Sequence, residues 1–229
     1  MRETERADLA ALSSLAPRRL NTFIHTGWIA SVEAGRPVDA RGEPIPWYTY
    51  PAIDFLESKI QREWSVLEWG CGNSTRWWAA RTARVLSIEH NAEWQRKIST
   101  DLPAHATATL IEDPLAYSTL KETAPAETFD VLIIDGEERN ACARTAVTRA
   151  KPSSIIVFDN SDRKSVGDGM TYLADSGWKR IDFFGLLPSY AYRTCTSIFF
   201  RDDSLLRGDR LPCDLQSSLG LTCAQVLGE

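Results

Sequence analysis

The sequence has no long apolar run, no stripe of basic residues and no Cys-x-x-Cys pair. Nothing in it approaches the ~18–20 consecutive apolar residues that a bilayer-spanning helix needs. Arg2, Glu3, Glu5, Arg6 and Asp8 interrupt any apolar stretch at the start, so no signal peptide is expected there. These absences point to a cytoplasmic protein with no membrane partner. The net charge is -5 over 229 residues, with lysine and arginine dispersed, which argues against nucleic acid as a partner. Cysteines number five, at Cys71, Cys142, Cys195, Cys213 and Cys223. Their odd count and wide spacing exclude a complete disulfide framework and offer no zinc or redox pattern. Reduced, mostly buried thiols are expected. Histidine is also scarce: His25 and His105 stand alone, leaving His90 as the one with a suggestive neighbour.

What is present is an ordinary globular composition, 43% hydrophobic and 25% charged, and enough chain for one sizeable core. Residues 1–50 read as a mixed segment: a short helix over Arg6–Leu15, then a loop with Gly27, Gly35, Pro37, Gly42, Pro44 and Pro46. An amphipathic helix follows, with Ile53, Leu56 and Ile60 at helical spacing. From residue 65 strands and helices alternate. Strands are predicted at Ser65–Trp69, Arg84–Glu89, Thr107–Ile111, Phe129–Asp135, Ser154–Asp159, Trp178–Phe184 and Thr196–Arg201. Helices are predicted at Ser74–Ala83, Ala92–Asp101, Ala141–Ala150 and Gly167–Ser176. Uninterrupted apolar runs such as Val131–Ile134 and Ile155–Phe158 suit central parallel strands buried on both faces. The pattern predicts an α/β fold, a doubly wound and mostly parallel seven-stranded sheet with helices on both faces. Gly185–Cys195 has no helical period and contains Pro188, so the last two strands should form an antiparallel hairpin around that loop. The domain would span 51–202. The leucine-bearing extension 203–229 would pack on it or on a second subunit, leaving a homo-oligomer open.

Strand 65–69 runs directly into Gly70-Cys71-Gly72-Asn73-Ser74-Thr75. In a doubly wound sheet, ligands bind beyond the carboxyl ends of strands where strand order reverses. Two glycines permit a sharp turn and close approach, and Ser74 or Thr75 can cap the next helix, whose free amides favour an anion. A nicotinamide or flavin loop would want a third glycine where Thr75 stands, so that fingerprint fails. Glu89 ends the next strand, 19 positions after Gly70, close to the roughly 20 expected for a carboxylate that holds ribose hydroxyls.

Glu68 in Glu-x-Gly-x-Gly resembles motif I of the class I S-adenosylmethionine (SAM)-dependent methyltransferases, a Rossmann-like family. The likeness runs from about Tyr50 to Arg201. It is closest to a bacterial small-molecule subgroup marked here by Leu67-Glu68-Trp69-Gly70, Ser87-Ile88-Glu89-His90, Asp135-Gly136-Glu137-Glu138-Arg139 and Asp159-Asn160-Ser161-Asp162-Arg163. The resemblance implies SAM as cofactor. Glu68 would lie beside its methionine end, with Gly70, Gly72, Asn73, Ser74 and Thr75 in the loop. Glu89 and His90 would meet the ribose edge, and Asp113 the adenine. Asp135 and Gly136 would border the same cleft.

The fourth and fifth strands end at Asp135 and at Asp159-Asn160. These oxygen donors look like the metal triad of the catechol-type O-methyltransferases, which implies a divalent cation such as Mg2+ that orients hydroxyls and acidifies one of them. One departure counts against the metal: Glu138 stands where those enzymes commonly place a lysine base. The competing arrangement has Asp135 and Arg139 touching acceptor or cofactor, with Asp159 and Asn160 shaping the pocket. Trp47 and Tyr50, where such enzymes often place a lid, and Tyr190 in the hairpin loop are candidates for packing a small-molecule acceptor. Methyl transfer to oxygen is expected over nitrogen, because strand-end carboxylates assist deprotonation. Two rivals stay in view: an NAD-dependent oxidoreductase, which Thr75 and the terminal hairpin oppose, and a SAM-binding subunit without catalysis.

Overall fold

The computed structural model describes residues 21–120, 126–208 and 219–220. The helix expected over Arg6–Leu15, as well as Cys213 and Cys223, lie outside the described residues. The chain begins with two short helices, α1 (Asn21–His25) and α2 (Trp28–Ala34), then α3 (Tyr50–Glu57). The sheet is built from β1 (Ser65–Trp69), β2 (Arg84–Glu89), β3 (Ala106–Leu110), β4 (Phe129–Ile134), β5 (Ala150–Asp159), β6 (Lys179–Leu187) and β7 (Tyr190–Phe200). Between the strands lie α4 (Asn73–Ala79), α5 (Ala92–Ser99), α6 (Pro114–Thr119), α7 (Arg139–Arg149) and α8 (Gly167–Asp175).

The strand order is β3-β2-β1-β4-β5-β7-β6, with β7 antiparallel to both its neighbours and the other pairings parallel. This is the expected seven-stranded sheet with its terminal hairpin. Alternation along each strand sends side chains to two separate cores. Leu67, Trp69, Ile88, Leu132, Ile134 and Phe158 face α6, α7 and α8. Val66, Val85, Val131, Ile133 and Val157 face the layer containing Ile53, Leu56, Trp77 and Trp78. Each buried aliphatic side chain contributes about 1.5–3 kcal/mol, so these central strands hold the fold together.

Three sequence expectations need correction. The hairpin loop is far shorter than 185–195: only Pro188 and Ser189 separate the strands, and Tyr190 and Tyr192 lie in β7. Helices α1 and α2 occupy ground read as loop. Their flanking glycines, Gly27 at φ 79° and Gly35 at φ 62°, hold the left-handed conformations that bracket α2. No helix was expected over 114–119, yet Asp113 opens α6 there: it accepts the Ala116 amide at 2.7 Å, a capping contact with proline at the first helical position.

The segment before β1 is part of the same core. Ile45 and Tyr48 are buried with Ile53 and Leu56, and the Thr49 amide donates to Thr196 Oγ1 of β7. Leu205 and Leu219 of the C-terminal extension pack on that face as well. Cys71, Cys142 and Cys195 are buried free thiols. Among the described residues, no helix is long and apolar enough to cross a membrane.

Candidate active site

The parallel register sets four strand ends side by side. Trp69 pairs with Ile88 of β2 and Ile134 of β4, and Ile134 with Phe158 of β5. The residues that follow, Gly70, Glu89, Asp135 and Asp159, therefore gather at one edge, where a cleft of about 1040 Å³ opens. The strand order reverses here, between β1 and β4, which is where ligands bind in open α/β sheets.

The β1–α4 loop forms one wall. Gly70 sits at φ 95°, and a Cβ there would lie 2.9 Å from the Gly136 backbone, so glycine is required on two counts. Gly72 is in extended backbone that any residue adopts; a Cβ there would meet only Ser74 Oγ, at 3.7 Å. Its missing side chain leaves room beside the loop. The Glu89 carboxylate braces this wall: Oε2 accepts the Cys71 amide at 3.1 Å, and Oε1 accepts the amides of His90 and Asn91 at 2.9 and 2.8 Å. His90 Nδ1 lies 3.1 Å from the same Oε1. Asn73 Nδ2 donates to Pro37 O at 2.6 Å, tying the N-terminal segment to the loop.

Most of the predicted residues line the cleft: Gly70, Gly72, Asn73, Ser74, Glu89, His90, Asp135, Gly136, Arg139, Asp159, Asn160, Trp47 and Tyr190. Four do not. Glu68 is wholly buried, because strand alternation turns it away from Leu67 and Trp69 onto the α4 face. There Oε2 accepts the Thr75 and Ser87 hydroxyls, while Oε1 has no partner among the described residues. Burial pushes its carboxyl up to about 7. Thr75 is equally buried, accepting the Gly72 amide at 2.9 Å while donating to Glu68. This Thr75 hydroxyl, and not Ser74, shapes the helix start. Asp113 caps α6 away from the cleft, and Tyr50 sits at the start of α3, partly packed against the core.

The floor between β4 and β5 holds the charged chemistry. Burial raises the Asp135 and Asp159 carboxyls, and the two face each other closely enough to share a proton. Asp159 is pushed up to about 8, first by burial and then by the charge of Asp135. Arg139 stitches the two strand ends together. Its Nε donates to Gly136 O at 2.8 Å, Nη2 to Asp135 O at 2.8 Å and to Asp135 Oδ1 at 3.3 Å, and Nη1 to Asp159 O and to Asn160 Oδ1. All five guanidinium N–H groups are thus directed at protein oxygens.

That occupancy corrects two expectations. Arg139 has no donor left for an acceptor molecule. The metal triad fits poorly as well: Arg139 sets its positive charge on Asp135 Oδ1 and Asn160 Oδ1, at 3.3 and 3.4 Å, and Asp159 Oδ1 already takes the Thr196 hydroxyl. Among the described residues, no group of three or more His, Cys, Asp or Glu side chains is placed to hold a metal ion.

Several cleft residues escaped the sequence reading. Asn91 caps α5 by accepting the Trp94 amide, and Trp94 Nε1 donates to Cys71 O at 2.6 Å, fixing the outer side of the loop. Arg163 also lines the cleft. It belongs to the Asp159–Arg163 motif, so position in that motif was the available signal. The hairpin forms the far rim, held by two indoles: Trp28 Nε1 donates to Tyr190 O at 3.0 Å and Trp47 Nε1 to Pro188 O at 3.1 Å.

Residues 67–161 match a family model described as a methyltransferase domain. No curated protein matches the chain at a significant level. Among solved structures, precorrin-6y C5,15-methyltransferase from Geobacter metallireducens superposes with a TM-score of 0.51 at 13% identity, covering 66% of this chain and 87% of that one. Precorrin 8w decarboxylase from Methanobacterium thermoautotrophicum gives 0.49 at 18% identity, covering 71% and 94%. The N-methyltransferase NodS from Bradyrhizobium japonicum, in complex with S-adenosyl-L-homocysteine, gives 0.47 at 17% identity, covering 65% and 82%. At such identities the likeness is one of fold.

Proposed function

We propose that this chain is a class I SAM-dependent methyltransferase that methylates a hydroxyl oxygen of a small molecule; the methyltransferase-domain match over residues 67–161 supports the first part of that reading. The observation that carries the choice of oxygen is the Asp135–Asp159 carboxyl pair on the cleft floor. A hydroxyl must lose its proton as it becomes a nucleophile, and a buried carboxylate with a value near 8 is a far stronger base than an ordinary one. An amine needs only to be neutral and has less use for such a pair.

The loop and its surroundings fit an adenosyl cofactor. Gly70 and Gly136 let the two strand-end loops pack directly on each other, and Gly72, where a Cβ would meet only Ser74 Oγ, leaves space for a ligand at the loop. Glu89 retains acceptor capacity on Oε2, which takes one amide only, so ribose hydroxyls could add to it. SAM supplies a methyl group on a sulfonium, open to in-line displacement. The protein's own part is to hold the acceptor oxygen against the carboxyl pair, take up its proton there and keep water out with the Trp47–Tyr190 rim. An oxidoreductase is disfavoured by the antiparallel β7 between β5 and β6, which breaks the all-parallel dinucleotide order.

The test is transfer of an isotopically labelled methyl group from SAM to paired small-molecule panels that differ only in hydroxyl or amine. Label entering hydroxyl compounds, and failing to do so in the Asp159→Asn variant, is the expected result. Label entering amines alone overturns the oxygen assignment. SAM binding with no transfer to any acceptor favours a binding subunit.

A further inference from the structure

Two arginines stand at the strand ends of the cleft, and the protein uses them differently. Arg139 spends every donor on backbone and side-chain oxygens of its own chain. Arg163 is exposed, lines the cleft, and among the described residues makes neither a side-chain hydrogen bond nor an ion pair. Its neighbour Asp162 accepts the Thr194 hydroxyl at 2.7 Å and the Cys195 amide at 3.3 Å, which ties this segment to β7 beside Tyr192, and the Arg163 charge acts on both Asp135 and the Tyr192 hydroxyl.

An aromatic wall borders the same end. The Trp47 and Tyr190 rings are 6.1 Å apart between centroids, and Tyr190 and Tyr192 are 5.1 Å apart. All three line the cleft, and Leu187 beside them is buried. The wall is pre-set: Trp47 Nε1 is anchored to Pro188 O and Ser189 Oγ, and the Tyr190 backbone to Trp28. Rings held this way accept a flat ligand at little entropic cost.

We propose that the acceptor is an aromatic carboxylate, its ring against Trp47, Tyr190 and Tyr192 and its carboxylate paired with Arg163. A guanidinium with a free fork matches a carboxylate in two parallel hydrogen bonds. A monoanion suits the site better than a phosphate dianion, because the exposed carboxylates Glu137 and Glu138 also line the cleft and oppose a second negative charge. The proposal rests on the methyltransferase reading, but not on whether oxygen or nitrogen receives the methyl.

Calorimetry on the full chain saturated with S-adenosylhomocysteine tests it, with para-hydroxybenzoate and phenol as probes. The wild type should bind the benzoate at least about tenfold more tightly than phenol, with the preference shrinking as salt rises. Arg163→Ala should bring the two within about twofold while leaving phenol and S-adenosylhomocysteine affinities unchanged, and Arg163→Lys should keep part of the preference. Equal affinities in the wild type, no binding of either probe, or a preference that survives Arg163→Ala overturns the proposal. Labelled-methyl turnover with para-hydroxybenzoate and para-aminobenzoate separates it from the oxygen assignment. Methyl on the amine alone sinks oxygen but not the carboxylate, whereas methyl on phenol and hydroxybenzoate at equal rates does the reverse.

Discussion

The Thr196 hydroxyl donates to Asp159 Oδ1 at 2.6 Å while it accepts the Thr49 amide at 3.0 Å. A hydroxyl carries one hydrogen. With the Thr49 N–H on its lone pair, that hydrogen is committed to Asp159. Oδ1 is then an acceptor in either charge state, and the proton that Asp159 gains or loses resides on Oδ2.

Turnover should therefore rise with pH through a midpoint near the Asp159 value of about 8, a value belonging to the carboxyl pair as a unit. Thr196→Val removes a hydrogen bond that favours the charged carboxylate. The midpoint should move upward by about 0.5–1 pH unit, the equivalent of one modest hydrogen bond. Thr196→Ser should restore it. A pH–kcat profile that does not move in the valine variant removes Thr196 from this role.

Stability should carry the same signature. The folded Asp159 holds its proton up to about 8, whereas the unfolded carboxyl releases it near the ordinary value of about 4. Between those values the native state binds the extra proton, so stability falls as pH rises across the window. Asp159→Asn, which keeps an oxygen for Thr196, should flatten that fall by about 1–3 kcal/mol. Urea unfolding at about pH 6 and pH 9 measures the difference; equal slopes in both proteins contradict it.

Glu89→Ala should weaken S-adenosylhomocysteine binding by about 1–3 kcal/mol, since hydrogen bonds to a charged acceptor are lost. The same carboxylate accepts the Cys71, His90 and Asn91 amides, so part of this loss comes through the loop. Glu89→Gln should fall between wild type and alanine by calorimetry. Wild-type affinity in the alanine variant means the cofactor lies elsewhere.

Gly136→Ala should destabilise the fold by about 1–3 kcal/mol, the usual range for overpacking. The new Cβ would lie 1.9 Å from Tyr117 Oη and 3.0 Å from the Gly70 amide nitrogen. Adding Tyr117→Phe should recover only part of the loss, because the backbone contact stays. Full recovery in thermal melts would show that the Gly70 contact costs nothing.

Exhaustive chelation should leave turnover unchanged, because Arg139 already holds Asp135 Oδ1 and Asn160 Oδ1, two of the oxygens a cation would need. Activity lost to EDTA and restored by Mg2+ would show that Arg139 moves aside to admit a metal.

How far each feature was legible follows from where its partners lie. β1 and β2 have the bounds that their apolar runs predicted, Ser65–Trp69 and Arg84–Glu89. Strands buried on both faces announce themselves by continuous hydrophobicity. The hairpin was harder: exposed Phe184 and Leu186 alternate with partly buried neighbours, Tyr190 and Tyr192 lie in an exposed run, and Pro188 suggested a long loop where a two-residue turn suffices. Gly27 and Gly35 looked like breakers of a loop, yet each flanks a helix.

By itself the sequence determined the sheet, the glycine loop and the carboxylates at its strand ends. These depend on local periodicity and on a residue's place just past a strand, which neighbours in the chain decide. Tertiary structure alone decided which of them face the cleft. Glu68 turned under the loop because Thr75 and Ser87 receive it there, Asn73 bonded Pro37, and Thr49 reached Thr196 at a separation of 147 residues. Arg139 looked free to bind a ligand until two strand ends took all its donors. A side chain's chemistry is written in the sequence, but whether its donors and acceptors stay available depends on which distant groups reach them first.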